Sequence, residues 1–162
     1  MNDHIVVSDL RVHRPRDKEQ LIQQLQVSHD GIFSSMAETL VFAACLAWSR
    51  GGEVEEIKQS GETIRYDVFR KMDGVEAVID AIAVLSRPGD ALILSEDRTP
   101  ERIEIFEGYA NSGLNILQGE IRSNHLSVAD TLIDLVRDAG RTGRDNASGV
   151  PDDIRKLLAS PE

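Results

Sequence analysis

The chain has 162 residues, of which 41% are apolar and 28% are charged, and acidic residues exceed basic ones by 28 − 18 = 10. A chain of this length forms about one domain and buries a core that needs no metal or disulfide. The single cysteine, Cys45, rules out an internal disulfide, and no apolar run is long enough for a membrane helix. We therefore expect a soluble cytoplasmic protein whose acidity disfavours non-specific contact with nucleic acid.

The N-terminal region predicts a short extended segment followed by a first helix. Residues 4–7 are apolar enough for a strand or an arm, and residues 11–16 form a basic stretch. Asp17 is placed to cap a helix, with Gln20 as its partner three residues later. Apolar residues then recur at helical spacing over 21–25.

The second helix is predicted from a capping box and an uninterrupted apolar run. Ser35 and Glu38 have the spacing of the box, and residues 40–48 contain no charged or strongly polar side chain. A helix that is apolar all round is typically buried, so we expect it at the centre of the core with Cys45 as a small buried hydrophobe. Gly51 and Gly52 end it.

The middle of the chain predicts a loop and a further helix. Residues 53–64 are polar, and residues 64–69 alternate in a way that fits a short strand or a helical turn. Asp73 and Glu76 form another capping box. The apolar stripe that follows consists of Val75, Val78, Ile79, Ile82 and Leu85. Residues 91–94 fit a brief strand or a loop.

Thr99 and Pro100 predict the start of a long helix that continues to Leu117. One apolar stripe on this helix consists of Ile103, Phe106, Ala110, Leu114 and Leu117. A second stripe consists of Ile105, Tyr109 and Ile116. Two stripes imply contacts on two sides of the helix, and either the same domain or a second subunit can supply the second contact. We therefore take the second stripe as a candidate partner-binding surface.

The C-terminal third predicts a last helix, a linker and an amphipathic tail. The helix is expected over 126–136, with its inward face formed by Ala129, Leu132, Ile133 and Val136. Residues 139–150 have the composition of a flexible linker. In the tail, residues 151–162, the side chains Ile154, Leu157 and Leu158 follow the spacing of a helix that docks in a groove. That groove belongs either to a partner or to the chain's own domain.

These elements together predict a mainly α fold. We expect a compact helical domain of about five helices over residues 1–138, with at most short β segments. The linker and the short C-terminal helix follow it.

A catalytic centre is not indicated by the polar residues. Glu101, Glu104 and Glu107, with Asp97 upstream, could hold Mg²⁺, but such a row is far more typical of a solvated helix face. The four histidines are scattered, and no phosphate-binding glycine loop or nucleophile motif is present. We therefore expect no enzyme activity, no metal and no cofactor.

The basic stretch supports an alternative, DNA-binding hypothesis. Its candidate phosphate-binding residues are Arg11, Arg14, Arg16 and Lys18. They precede a helix start, where backbone amides also favour phosphate. Neighbouring acidic residues reduce the net positive charge of this cluster. The competing interpretation is that these four side chains are ordinary surface residues or form salt bridges.

Several runs, in order, resemble one known family. They are residues 14–21 (RPRDKEQL), 38–44 (ETLVFAA), 64–69 (IRYDVF) and 105–114 (IFEGYANSGL), of which the Tyr-Ala-Asn-x-Gly-Leu run is the most specific. Over about residues 11–120 the chain resembles the DNA phosphorothioation-associated (Dnd system-associated) small proteins. Its layout is also distantly similar to DndE, a small helical subunit of the modification machinery.

The resemblance implies a role in an antiviral, restriction–modification type of system that uses sulfur-modified DNA. Our first hypothesis is a non-enzymatic accessory or scaffold protein that binds subunits of a modification or restriction complex, and a homo-oligomer is a further expectation. No catalytic residue carries over from the resemblance.

Overall fold

The fold is described by a computed structural model over residues 9–29 and 31–146. Its elements are β1 (Arg11–Pro15), α1 (Glu19–Gln24), α2 (Met36–Ser49), β2 (Ser60–Arg65), α3 (Tyr66–Arg70), α4 (Val75–Ser86), α5 (Thr99–Ser123) and α6 (Val128–Asn146). The prediction of a mainly α fold is confirmed, with six helices and one two-stranded antiparallel sheet in the described ranges. None of these helices is both long and apolar enough to cross a membrane.

The core is organised by the packing of α2 along α5. Small residues of α2, among them Ala43 and Ala47, are fully buried against α5. At the crossing, a side chain at Gly113 would overlap the backbone of Ala43, so the two helix backbones touch. Leu114 and Leu117 of α5 fill the remaining space and are completely buried. Helices α2 and α5 thus cross closely at Gly113.

Helix α2 begins as predicted but is not buried all round. The hydroxyl of Ser35 accepts the Glu38 backbone N–H at 3.2 Å, which caps the helix. Cys45 is exposed and Trp48 is 38% exposed, so the predictions of a fully buried helix and a buried Cys45 are wrong.

The sheet joins the basic stretch to the segment that precedes α3. β1 and β2 pair antiparallel, with Val12 opposite Ile64 and Arg11 opposite Arg65. The chain turns directly from β2 into α3, whose Tyr66 and Phe69 are buried. The sequence predicted either a short strand or a helical turn for residues 64–69. The structure has both, since β2 ends at Arg65 and α3 begins at Tyr66.

Two predicted helix caps are wrong. Asp17 does not cap α1, because its carboxylate pairs with the neighbouring Lys18 at 2.5 Å and a 3-10 turn precedes the helix. Asp73 does not cap α4, since the capping position is Gly74 in the left-handed conformation at φ 74°. That conformation favours glycine. The start of α5 at Thr99 is confirmed, and the helix extends six residues past Leu117, to Ser123.

Helix α6 differs from its prediction in both length and face. It runs to Asn146, so residues 139–146, predicted as part of a linker, are helical. Among its described side chains Thr131, Leu132 and Leu135 are buried, whereas Ile133 is 47% and Val136 is 55% exposed. The inward assignment of Ile133 and Val136 is therefore wrong. The predicted strand at 4–7 and the tail at 151–162 lie outside the described residues.

Candidate partner-binding surface

The basic stretch does not form one exposed cationic patch. Arg14 is only 3% exposed, because its guanidinium turns into the fold and pairs with Glu62 at 2.7 Å and with Glu19 at 3.3 Å. Lys18 is also buried and pairs with Asp17. Two of the four candidate phosphate-binding side chains are thus occupied by carboxylates. This placement counts against the predicted roles of Arg14 and Lys18.

The other two members of the stretch remain at the surface. Arg11 lies on β1 and Arg16 follows the strand, and both are exposed. The backbone N–H of Arg16 donates to Gln59 at 2.9 Å, which anchors the chain at this point. The DNA-binding hypothesis stays a prediction.

The second stripe of the long helix is largely internal. Ile105 is 3% and Tyr109 is 7% exposed, and Ile116 is partly buried against the core. The Tyr109 ring meets Trp48 edge-on with centroids 5.6 Å apart, and its hydroxyl lies 3.4 Å from Ser86 Oγ. Ile105 and Tyr109 therefore belong to the chain's own core, and residues of α2 and α4 contact Tyr109. This placement counts against the predicted partner-binding role of the stripe, which stays a prediction.

The Tyr-Ala-Asn-x-Gly-Leu run has two roles in the fold. Asn111 binds a loop, and Gly113 lies where α5 crosses α2. The Asn111 side-chain amide donates to the carbonyl oxygens of Glu55 at 3.1 Å and Glu56 at 3.4 Å. One turn earlier, the Gly108 carbonyl accepts the Glu55 N–H at 3.2 Å, and a side chain at Gly108 would overlap Val54. The most specific run of the sequence thus fixes the loop between α2 and β2 on α5.

The carboxylate row of α5 is divided among different partners. Glu107 accepts the His13 backbone N–H at 2.6 Å and lies 2.9 Å from the His13 ring. Glu101 pairs with Arg98 at 2.6 Å and with Arg87 at 3.5 Å. Glu104 is exposed. Within the described ranges no three metal-binding side chains converge.

Two acidic clefts flank the loop between α2 and β2. The first, of about 410 Å³, is lined by Glu56, Glu101, Glu104 and Glu107 among others. Burial raises the pKa of Glu107, and the hydrogen bonds from His13 partly oppose this effect. The second cleft, of about 630 Å³, also borders the loop. It is lined by Asp17, Glu55, Glu56, Lys58, Gln59, Asn111 and Asn115.

An exposed apolar surface lies at the end of α4 and on the segment that follows it. We call Val84, Leu85, Leu92 and Leu94 the leucine surface. Their exposed fractions are between 41% and 69%, which is high for large apolar side chains. Ile93, between the two leucines of the segment, is 1% exposed and anchors it in the core. This surface was not predictable from the sequence, because residues 91–94 show no clear period.

Arginine side chains hold this segment in place. Arg102 is 7% exposed and donates through Nη1 to the carbonyl oxygens of Ile93 and Ser95, both at 2.8 Å. Its Nε lies 2.8 Å from the Asp80 carboxylate of α4. Arg98 closes the turn by pairing with Asp90 at 2.7 Å. Leu92 and Leu94 are therefore presented by a segment that is tied to both α4 and α5.

The described residues form a small helical domain built on the packed pair α2 and α5. A two-stranded sheet packs against α5, and Arg102 of α5 anchors the apolar segment at residues 91–94. The described part of the domain contains acidic clefts and an exposed apolar surface, but no converging metal ligands. The chain belongs to the family of DNA sulphur modification system-associated protein 4, whose model matches residues 11–153. Comparisons with curated proteins and with solved structures found no match.

Family membership confirms the resemblance to the Dnd-associated small proteins and extends it beyond residue 120. The likeness in layout to DndE stays a prediction. The tail residues Ile154, Leu157 and Leu158 lie outside both the family match and the described residues.

Proposed function

We propose that this chain is a non-enzymatic accessory subunit of a DNA phosphorothioation-linked modification or restriction system. In this proposal it acts in the cytoplasm by binding another protein subunit of that system. Membership of a family associated with DNA sulphur modification supports a role in such a system. The leucine surface is the observation that supports binding as the mode of action.

The leucine surface has the composition of a protein-binding site. Exposed large apolar side chains favour burial against a partner, because each buried side chain contributes about 1.5–3 kcal/mol. Leu92 is the most exposed large apolar residue among those described, at 69%. Its backbone is held on both sides, because its N–H donates to the Asp90 carboxylate at 3.2 Å and its carbonyl accepts the Ser95 N–H at 2.9 Å.

The anchored backbone strengthens the case for binding. A segment that is already ordered loses little conformational freedom when it binds, so more of the contact free energy remains as affinity. The hydrogen bonds of Arg102 to Ile93 and Ser95, and the Arg98–Asp90 pair, provide this order. An apolar groove on a subunit of the modification or restriction complex is the partner that fits.

Co-purification tests the proposal. The tagged chain is expressed with the modification and restriction proteins of its host, and the complex is isolated and sized. We expect a defined complex with the wild-type chain and its loss with Leu92→Asp/Leu94→Asp. The matched control is Val27→Asp/Ile32→Asp, which adds the same charge at two exposed apolar residues of another segment and should leave the complex intact.

Two results would refute the proposal. One is a wild-type chain that elutes free of every subunit of the system. The other is equal loss of the complex in the two double variants, because a general effect of added charge would then explain it. Circular dichroism of each variant distinguishes lost binding from lost folding.

A further inference from the structure

A second apolar feature lies between α2 and α6. It is a groove of about 190 Å³ whose walls are Phe42, Cys45 and Leu46 from α2 and Leu135, Val136 and Ala139 from α6. The hydroxyl of Ser49, at one end, donates back to the Leu46 carbonyl at 2.8 Å. The groove therefore offers its occupant an apolar surface and almost no hydrogen-bonding group.

The groove is open in the described part of the chain. Cys45 is exposed, Val136 is 55% exposed and Phe42 is only partly buried. Burial by its surroundings nevertheless raises the pKa of the Cys45 thiol. Since α2 carries no charged side chain after Glu38, an uncovered face on it leaves apolar area in contact with water.

Helix α6, which forms one wall of the groove, ends at Asn146, so the residues that follow it start near the groove. Asn146 is seven residues beyond Ala139 and eleven beyond Leu135, which corresponds to about 10–17 Å along helix α6. The eight steps from Asn146 to Ile154 can span up to about 26–29 Å when extended. The chain after Asn146 can therefore turn back and reach every wall of the groove.

The sequence after Asn146 has the chemistry that the groove requires. Ser148, Gly149 and Pro151 are residues typical of a turn. Ile154, Leu157 and Leu158 then form one apolar stripe at helical spacing. Asp152 and Lys156 fall on the opposite side of the same helical wheel and would face water.

We propose that residues 151–158 dock in the α2–α6 groove of their own chain, with Ile154, Leu157 and Leu158 against Phe42, Cys45 and Val136. A tethered segment has an effective concentration in the millimolar range, whereas a second copy must compete at its solution concentration. The three tail side chains then complete the chain's own core. This inference is independent of the leucine surface and of the proposed function.

The single cysteine provides a direct test, because Cys45 lies in the groove. The rate of Cys45 modification by a thiol reagent is measured in four proteins: the full chain, a chain ending at Val150, Leu157→Asp/Leu158→Asp, and Asp152→Asn/Lys156→Gln. We expect truncation and the leucine variant to raise the rate about tenfold, which corresponds to docking favoured by about 1.4 kcal/mol. The last variant changes the water-facing side and should react like the full chain.

The same measurement at several protein concentrations distinguishes docking of the chain's own tail from docking of a second copy. Rates in the full chain that do not change on dilution support docking within one chain. Protection of Cys45 that disappears on dilution would overturn the proposal in favour of a second copy. Equal rates in all four proteins would overturn it as well, because the tail would then not cover the groove.

Discussion

The fold changes the pKa of the Glu107 carboxyl from its value in water. Glu107 is partly buried on α5, beside the exposed Glu104, and its nearest donors are the backbone N–H and the ring of His13. Burial is the largest effect, so the pKa of Glu107 is raised from its ordinary value of 4.5. The folded state therefore holds the proton of this group more tightly than the unfolded state does.

Glu107→Gln should remove a pH-dependent part of the stability. Between the ordinary and the raised pKa the folded state binds more protons, so stability falls as the pH rises through this window. We expect the free energy of unfolding of the wild type, relative to Glu107→Gln, to be highest below pH 4.5 and to decrease above it. Urea unfolding at a series of pH values measures this difference.

Two controls isolate the effect of Glu107. The comparison is repeated in a His13→Gln background, which removes the neighbouring imidazole and keeps the backbone donor. Glu104→Gln controls for the loss of one charge from the same helix. A difference between wild type and Glu107→Gln that rises with pH would show that the hydrogen bonds of His13 outweigh burial.

Residue roles were the part of the molecule least accessible from sequence. Arg14 was predicted to meet phosphate, yet it pairs with Glu62, which lies 48 residues away. Tyr109 was predicted to meet a partner, yet Trp48 and Ser86 cover it. Each of these contacts joins distant parts of the chain. Helical spacing shows that a face is apolar but not which element covers it.

At the scale of elements, the α2–α5 crossing determines how the domain packs. Two small-residue faces let the helix backbones approach, and Gly113 lies where they touch Ala43. Glycine in a helix costs about 1 kcal/mol relative to alanine, and the close packing of two long apolar helices offsets that cost. Gly119, two turns later on the same helix, has no atom within 4 Å of its missing side chain.

Gly113→Ala and Gly119→Ala should therefore have opposite effects. At Gly113 the added methyl overlaps the Ala43 carbonyl and forces the helices apart, which we expect to destabilise by about 1–3 kcal/mol or more. At Gly119 the same change should stabilise by up to about 1 kcal/mol through helix propensity. Urea unfolding of the two variants measures both, and stabilisation by Gly113→Ala would contradict the observed crossing.

Elements were predictable where the local chemistry decides them. The Ser35 cap and the start of α5 were predictable because both depend on adjacent residues. Pro100 lies in the first turn of α5, but Thr99 does not cap the helix, since its hydroxyl donates to the Glu96 carbonyl at 2.7 Å. The end of α6 was missed because Gly140 and Gly143 resemble a linker, although the helix continues through them. Its face was also misassigned: Leu135 packs inward while Ile133 is exposed. Composition alone does not distinguish an exposed glycine-bearing helix from a loop.

At the scale of the whole molecule, one small domain carries both acidic clefts and exposed apolar side chains. Part of the net charge of −10 lies around the two clefts beside α5. Part of the exposed apolar area lies on the leucine surface and in the α2–α6 groove. The fold class was predictable from periodicity, and the family from the run around Asn111. The leucine surface was not, because it depends on how Arg102 and Ile93 fix an irregular segment.

The central claim is that the chain serves its system by binding and not by catalysis. Complementation of a host strain that lacks the gene tests this most directly, with phosphorothioate content and restriction of incoming DNA as the readout. We expect Glu101→Gln/Glu104→Gln/Glu107→Gln to restore the wild-type phenotype and Leu92→Asp/Leu94→Asp to fail. The claim is contradicted if the carboxylate variant, folded and expressed at wild-type level, is inactive while the leucine variant is active.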